Sequence, residues 1–199
     1  MIDPSVITVE NATDWELEEL ILFWVCAAGK NGRTAARCLE NLMETVEGHY
    51  WGPMKAIFMA AYKFNLPFLL RDHGIGCYMS KARSMLELAV AVGSHKLDLR
   101  TCSADDLEKI HGIGMKTSRC FIIHSRPGAR YAGLDTHILK HLRAAGVENV
   151  PKSTPSSKKE YQRLEKEVLR LADKAGLSPA DFDLRIWNKY SVKSVARTT

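Results

Sequence analysis

Apolar positions recur at helical spacing along nearly the whole chain. Leu17, Leu20, Ile21, Trp24, Val25 and Ala28 share one face of a first helix. Thr13 and Glu16 have the spacing of a capping box at its start, and Gly29 stops it. Ala35, Leu39, Leu42 and Val46 mark a second helix. Pro53, a good first-turn residue, opens a third that runs to about Phe64. Pro67 to Asp72 predicts a short fourth. HGIG at His73–Gly76 then breaks the pattern, and a fifth helix follows from about Met79 to Val92. Ser103 caps a short sixth through Lys109. HGIG recurs at His111–Gly114, with a seventh helix behind it through about His124. Asp135 stands at the N-cap of an eighth, which carries Ile138, Leu139 and Leu142 and ends at Gly146. The stretch NVPKSTPSS is a linker with two prolines. It leads into a long amphipathic helix with Tyr161, Leu164, Val168 and Leu171. Ser178 caps the last helix, and Pro179 lies in its first turn. Val6–Val9 is a short β-like run, too brief to change the picture. The pattern predicts an all-α fold of about ten helices.

A chain of 199 residues fits one domain, or one unit of two lobes, and buries a core without disulfides or metal. The net charge of +5 permits a nucleic-acid partner without requiring one. The five cysteines are odd in number and form no C-x-x-C pair, which disfavours a disulfide framework or a zinc site. Reduced, buried thiols are expected. The opening MIDPSVITVE has neither the basic start nor the apolar stretch of a signal peptide. The longest apolar run, Leu20–Ala28, is far short of the roughly 20 residues that span a bilayer. A soluble cytoplasmic protein with no membrane partner is expected.

The second HGIG carries the chemistry. A helix ends near Lys109, a turn uses Gly112 and Gly114, and a new helix begins near Met115. Glycine tolerates positive φ and close approach of another backbone. The turn exposes the first amides of the new helix, which form a ready anion site. Lys116 lies just inside that helix, and Asp135 heads the next one. Each residue alone is equally compatible with a structural role. Flanking one helix and one return loop, the two can converge on a cleft.

LEKIHGIGMKTSRCFIIH (Leu107–His124) and YAGLDTHIL (Tyr131–Leu139) together resemble the signature of the helix–hairpin–helix DNA glycosylase superfamily. The lysine is similar to that of the bifunctional members, which are glycosylase and AP lyase in one. GCYMSKARSM (Gly76–Met85) resembles the loop that wedges into the duplex. The ending FDLRIWNKY (Phe182–Tyr190) is similar to that of the compact archaeal and bacterial 8-oxoguanine DNA glycosylases. The iron–sulfur type is disfavoured, because the C-terminal four-cysteine cluster is missing. The resemblance implies two helical lobes: residues 31–134, with the hairpin, and residues 1–30 together with 135–199. Duplex DNA with a damaged base or an abasic site would lie between them, bound by a monomer on the nucleoid.

The resemblance also implies roles. Lys116 would attack C1′ of a flipped nucleotide, and Asp135 would stabilise the charge developing on the sugar. Gly112, Ile113, Gly114 and Thr117 would grip a phosphate, and His137 would touch the backbone nearby. Tyr78 would be the wedge, with Cys77 the alternative. Lys30 and Asn31 would fill the gap left by the flipped base. Trp187 and Lys193 would line the base pocket. Arg185, Lys189, Lys193 and Arg197 repeat every four residues and would form a basic stripe if the last helix extends. The chain ends at Thr199, whereas the compact 8-oxoguanine enzymes end on lysine. No cofactor is required. A Na⁺ or K⁺ ion would sit on the backbone carbonyls of Glu108, Ile110 and Ile113. Two other readings fit the same residues: the same chemistry on another lesion, and a non-catalytic hairpin that only grips DNA.

Overall fold

The computed structural model describes residues 2–126 and 128–195, the last four, 192–195, by backbone alone. These residues are all helical or irregular, with no strand among them. Eleven helices follow in order: α1 (Asp14–Ala27), α2 (Gly32–Thr45), α3 (Gly48–Trp51), α4 (Pro53–Lys63), α5 (Leu66–Asp72), α6 (Tyr78–Gly93), α7 (Ala104–Leu107), α8 (Met115–Ser125), α9 (Thr136–Ala144), α10 (Lys158–Lys174) and α11 (Pro179–Val195). The helix beyond the sequence reading is α3. Its four residues are too few to show a period, and it opens on Glu47 in the left-handed region, at φ 56°. Val6–Val9 joins no sheet; Val9 N–H instead donates to the His124 carbonyl at 2.9 Å.

The local signals act as chemistry requires. Thr13 and Glu16 satisfy each other's amides in a capping box. Asn31 caps α2, accepting from the amides of Arg33 and Thr34. Asp135 caps α9, its Oδ1 accepting from Ile138 N–H at 2.7 Å.

Two apolar cores result. The first takes buried side chains from α1, α2, α4, α5, α6, α7 and α8. The second gathers the return loop before α9 with α9, α10 and α11. This division differs from the lobes expected from the sequence, because the N-terminal helix lies in the first core. Leu17, Leu20, Ile21, Leu22, Phe23, Val25, Cys26 and Ala27 are all buried, so α1 is covered on nearly every side. A helix that is apolar all round is stable only when surrounded, and α2, α4, α6 and α8 surround it.

A buried polar knot joins the cores behind the hairpin. Arg119 of α8 pairs with Glu108 before the hairpin and, at 3.1 Å, with Glu165 of α10. Glu165 also accepts Ala132 N–H at 3.0 Å. Tyr161 donates its hydroxyl to the Ala132 carbonyl at 2.8 Å and accepts Leu134 N–H at 3.0 Å. The segment leading to Asp135 is therefore pinned to α10. Tyr161→Phe leaves both backbone groups buried without that partner. We expect a loss of about 1–3 kcal/mol in urea denaturation; an unchanged midpoint would show that the hydroxyl pins nothing.

Candidate active site

Lys116 and Asp135 come together in a cleft of about 620 Å³. Lys30, Asn31, His137 and Trp187, four further residues singled out from the sequence, line the same cleft. The end of α1, the start of α9 and the middle of α11 supply its walls. Lys81 of α6 fixes one of these walls from behind. Its buried ammonium donates to the carbonyls of Cys26 and Ala28, at 2.8 and 2.9 Å, and holds the turn that carries Lys30. Burial pulls the Lys81 amine below its ordinary value.

Lys116 is partly buried, with Nζ 5.6 Å from the ring centroid of Trp24. The indole gives the side chain an apolar platform. Asp135 is also partly buried. Burial, then the Asp183 carboxylate, push the Asp135 carboxyl above the usual range. The Ile138 amide, Lys116 and His137 pull the other way. Cys120, one turn along α8 from Lys116, forms part of the floor, and burial pushes its thiol up.

Asp135 is brought close by a tight pass of the return loop over α8. A Cβ on Gly133 would stand 2.1 Å from Cys120 Sγ and 3.6 Å from its Cβ. Gly133→Ala should therefore cost about 1–3 kcal/mol. Cys120→Ala in the same chain should recover most of that loss, because the clash is with sulfur. Thermal melts of the two single variants and the double variant check this. A Gly133→Ala protein that melts with the wild type would overturn the contact.

The hairpin forms the adjoining lip. Ile113, Gly114, Met115, Lys116 and Thr117 line a second groove of about 520 Å³, shared with Thr154, Pro155, Ser156 and Lys158. Gly114 caps α8 without a side chain, which leaves the first amides open to an anion. Ile113 and the Thr117 side chain are buried, which leaves their backbone to face the groove. Gly112 lies apart from both grooves. It has φ +77°, and a Cβ there would meet Ser84 Oγ at 2.5 Å, so it seats the turn on α6. Glu87 of α6 accepts His111 N–H at 2.8 Å in support.

The other sequence-chosen residues have these surroundings. Tyr78 packs, partly buried, against the first core, while neighbouring Met79 is exposed. Cys77 is exposed, with φ 53°. Lys30 Nζ donates to the Gly74 carbonyl, tying the cleft to the first HGIG turn. The His137 ring stacks with Tyr190 at 6.0 Å. Arg33 lies 5.9 Å from the Trp187 ring centroid. The side chain of Lys193 and all of Arg197 fall outside the described residues. At the suggested cation site, the Ile110 carbonyl already accepts Ile113 N–H at 3.1 Å. A carbonyl has a second lone pair, so the donor set still fits a monovalent ion. Among the described residues, no group of three or more His, Cys, Asp or Glu is arranged to hold a metal.

The sequence reading missed Asp183, Trp24, Cys120 and the segment Ser153–Thr154, all of which line the cleft. Asp183 lay in the quoted FDLRIW stretch without a role. Ser153 and Thr154 lay in what read as a linker, yet Thr154 Oγ1 donates to the Leu134 carbonyl at 2.7 Å, beside Asp135.

No protein-family model matches the chain. Three solved structures have the same fold. The 8-oxoguanine DNA glycosylase of Thermotoga maritima is 23% identical, with 90% of this chain and 82% of that chain covered and a TM-score of 0.65. The 8-oxoguanine glycosylase/lyase of Methanocaldococcus jannaschii, in complex with a 15mer DNA containing 8-oxoguanine, is 17% identical, with 91% and 83% covered and a TM-score of 0.69. A second structure of the Methanocaldococcus jannaschii 8-oxoguanine DNA glycosylase gives 15%, 91%, 81% and 0.65.

Proposed function

We propose that this protein is a DNA glycosylase with AP lyase activity that removes a damaged base, 8-oxoguanine, from duplex DNA. The observation that carries this reading is the meeting of Lys116 and Asp135 in one cleft, beside a hairpin with open helix amides. The shared fold with 8-oxoguanine glycosylases supports the choice of lesion. No described helix is long and apolar enough to cross a membrane, and the proposed setting is DNA in the cytoplasm. The partner is duplex DNA, bound by a monomer.

A base inside a duplex is out of reach, so the nucleotide must rotate out of the stack. The open amides of α8 hold a phosphate without reading sequence. Lys30 and Asn31 stand at the cleft rim to occupy the vacated space, and Met79 is the exposed apolar residue beside the wedge loop. Lys116 gives up one proton, and its lone pair bonds to C1′. The bond from C1′ to the base breaks, and the base leaves with that electron pair and takes up a proton. Asp135 stabilises the positive charge that builds on the sugar. Ring opening yields an imine between Lys116 and C1′. The imine acidifies the C2′ hydrogen, and its removal expels the 3′ phosphate. A Na⁺ or K⁺ ion on the Glu108, Ile110 and Ile113 carbonyls would neutralise phosphate charge and take no part in bond making.

Borohydride trapping tests the proposal. A covalent band is expected on a duplex with 8-oxoguanine opposite cytosine and on an abasic-site duplex. A band on the abasic duplex alone moves the substrate to another lesion. No band on either makes the hairpin a DNA grip without chemistry.

A further inference from the structure

His124 has 0% of its surface exposed, yet the reaction above makes no use of it. Both ring nitrogens have partners. Nδ1 lies 2.8 Å from Thr8 Oγ1, and Nε2 lies 3.3 Å from Asp183 Oδ2. The ring stacks on Trp24 at 5.5 Å and 16°, and Trp24 in turn carries Lys116. Thr8 is partly exposed. Asp183 faces the cleft, where it acts on Asp135. A row of contacts thus runs from the surface, through the interior, to Asp183 at the cleft. Three distant parts of the chain build it: the N-terminal segment, α8 and α11.

We propose that Thr8, His124 and Asp183 form a proton relay between solvent and the cleft, with His124 a positioning residue that acts through Asp183. The proposal rests on the roles given above to Lys116 and Asp135. A neutral ring with hydrogen on Nε2 satisfies all three groups. Thr8 donates to Nδ1, and Nε2–H donates to Asp183. A proton taken up at Nδ1 is balanced by one released from Nε2 to Asp183. The ring ends neutral with hydrogen on Nδ1, which now donates to Thr8, and Asp183 holds the proton. The reverse sequence carries a proton from Asp183 outward. No bond to carbon changes and no oxidant is involved.

The carboxylates give the relay a purpose. Asp183 stands with Asp135 in one partly buried cleft, so a proton delivered to Asp183 arrives in the cleft that holds Asp135. Asp183 interacts with His124 and Cys120 from α8 and with Asp135 at the head of α9, and Lys116 and His137 line the same cleft. Of these, His124 is the one that also reaches Thr8.

Two measurements test the relay. The first needs no DNA: a ¹⁵N NMR titration of the His124 ring over about pH 5 to 9. Asp183→Asn and Asp135→Asn are both expected to displace the titration. A ring whose ¹⁵N shifts ignore both substitutions at every pH overturns the proposal. The second is the pH profile of trappable imine formation on an abasic-site duplex, with Lys116→Gln as the blank. His124→Gln keeps a donor toward Asp183 but cannot pass a proton. It should slow the reaction by about tenfold and flatten one limb of the profile, with duplex affinity unchanged. An equal slowing at every pH means that His124 only packs, and overturns the relay. A wild-type protein that traps nothing defeats the role of Lys116 instead, and the ring titration tells that failure apart.

Discussion

Lys116→Gln is expected to abolish borohydride trapping and to slow base release by at least about a thousandfold. The reason is specific to the amine. Glutamine has nearly the same length and a similar helix propensity, and it rests on the same Trp24 ring. It lacks the lone pair that bonds to C1′. Duplex affinity should change little, because the proposed phosphate contacts are made by the backbone amides at the head of α8. Lys116→Arg sharpens the test. It keeps the positive charge over Trp24 and remains protonated at any accessible pH. Equal loss in both variants identifies the nucleophile. Substantial single-turnover activity in Lys116→Arg would show that charge alone is needed, and the imine route would fall.

Asp135→Asn is expected to lower the rate of base release by about a hundred- to a thousandfold while leaving the fold intact. The two effects separate because Asp135 has two jobs. As the N-cap of α9, its Oδ1 accepts from Ile138 N–H, and asparagine caps equally well. As an anion in the cleft, it has no substitute in an amide. The stability sign is also definite. Burial and Asp183 raise the Asp135 carboxyl above its ordinary value of 3.8. A group raised on folding contributes stability in full below its unfolded value and loses it as pH climbs through the folded one. At about pH 7 the ionised carboxylate is therefore a cost that asparagine removes. Asp135→Asn should melt at or above the wild type there, and its advantage should fade in acid. A variant that loses activity and melts well below the wild type at neutral pH would mark Asp135 as structural only.

Much of the architecture was legible because its signals are local. The box at Thr13 and Glu16, the cap at Asp135 and the stop at Gly146 follow from backbone groups within one turn of each residue. The hairpin was legible for the same reason. Gly112 supplies the positive φ that the turn needs, and Gly114 and Lys116 stand at the head of α8. The four residues of α3 were not legible, since a helix shorter than two turns shows no apolar period.

Residues that act across the fold were the harder part. Tyr78 reads as the wedge candidate, with Cys77 the alternative, and the fold packs Tyr78 partly against the first core and leaves Met79 exposed. The Thr8–His124 contact joins positions 116 residues apart, and His124–Asp183 positions 59 apart. No periodicity links such positions. By itself the sequence determined the all-helical class, most helix boundaries and the glycine turn ahead of α8, because each follows from backbone hydrogen bonding over a few residues. Only the tertiary structure decided that α1 belongs to the first core, that Trp24 supports Lys116, and that Asp183 shares the cleft with Asp135. Those facts depend on which helix face meets which, and close packing of the whole chain decides that choice.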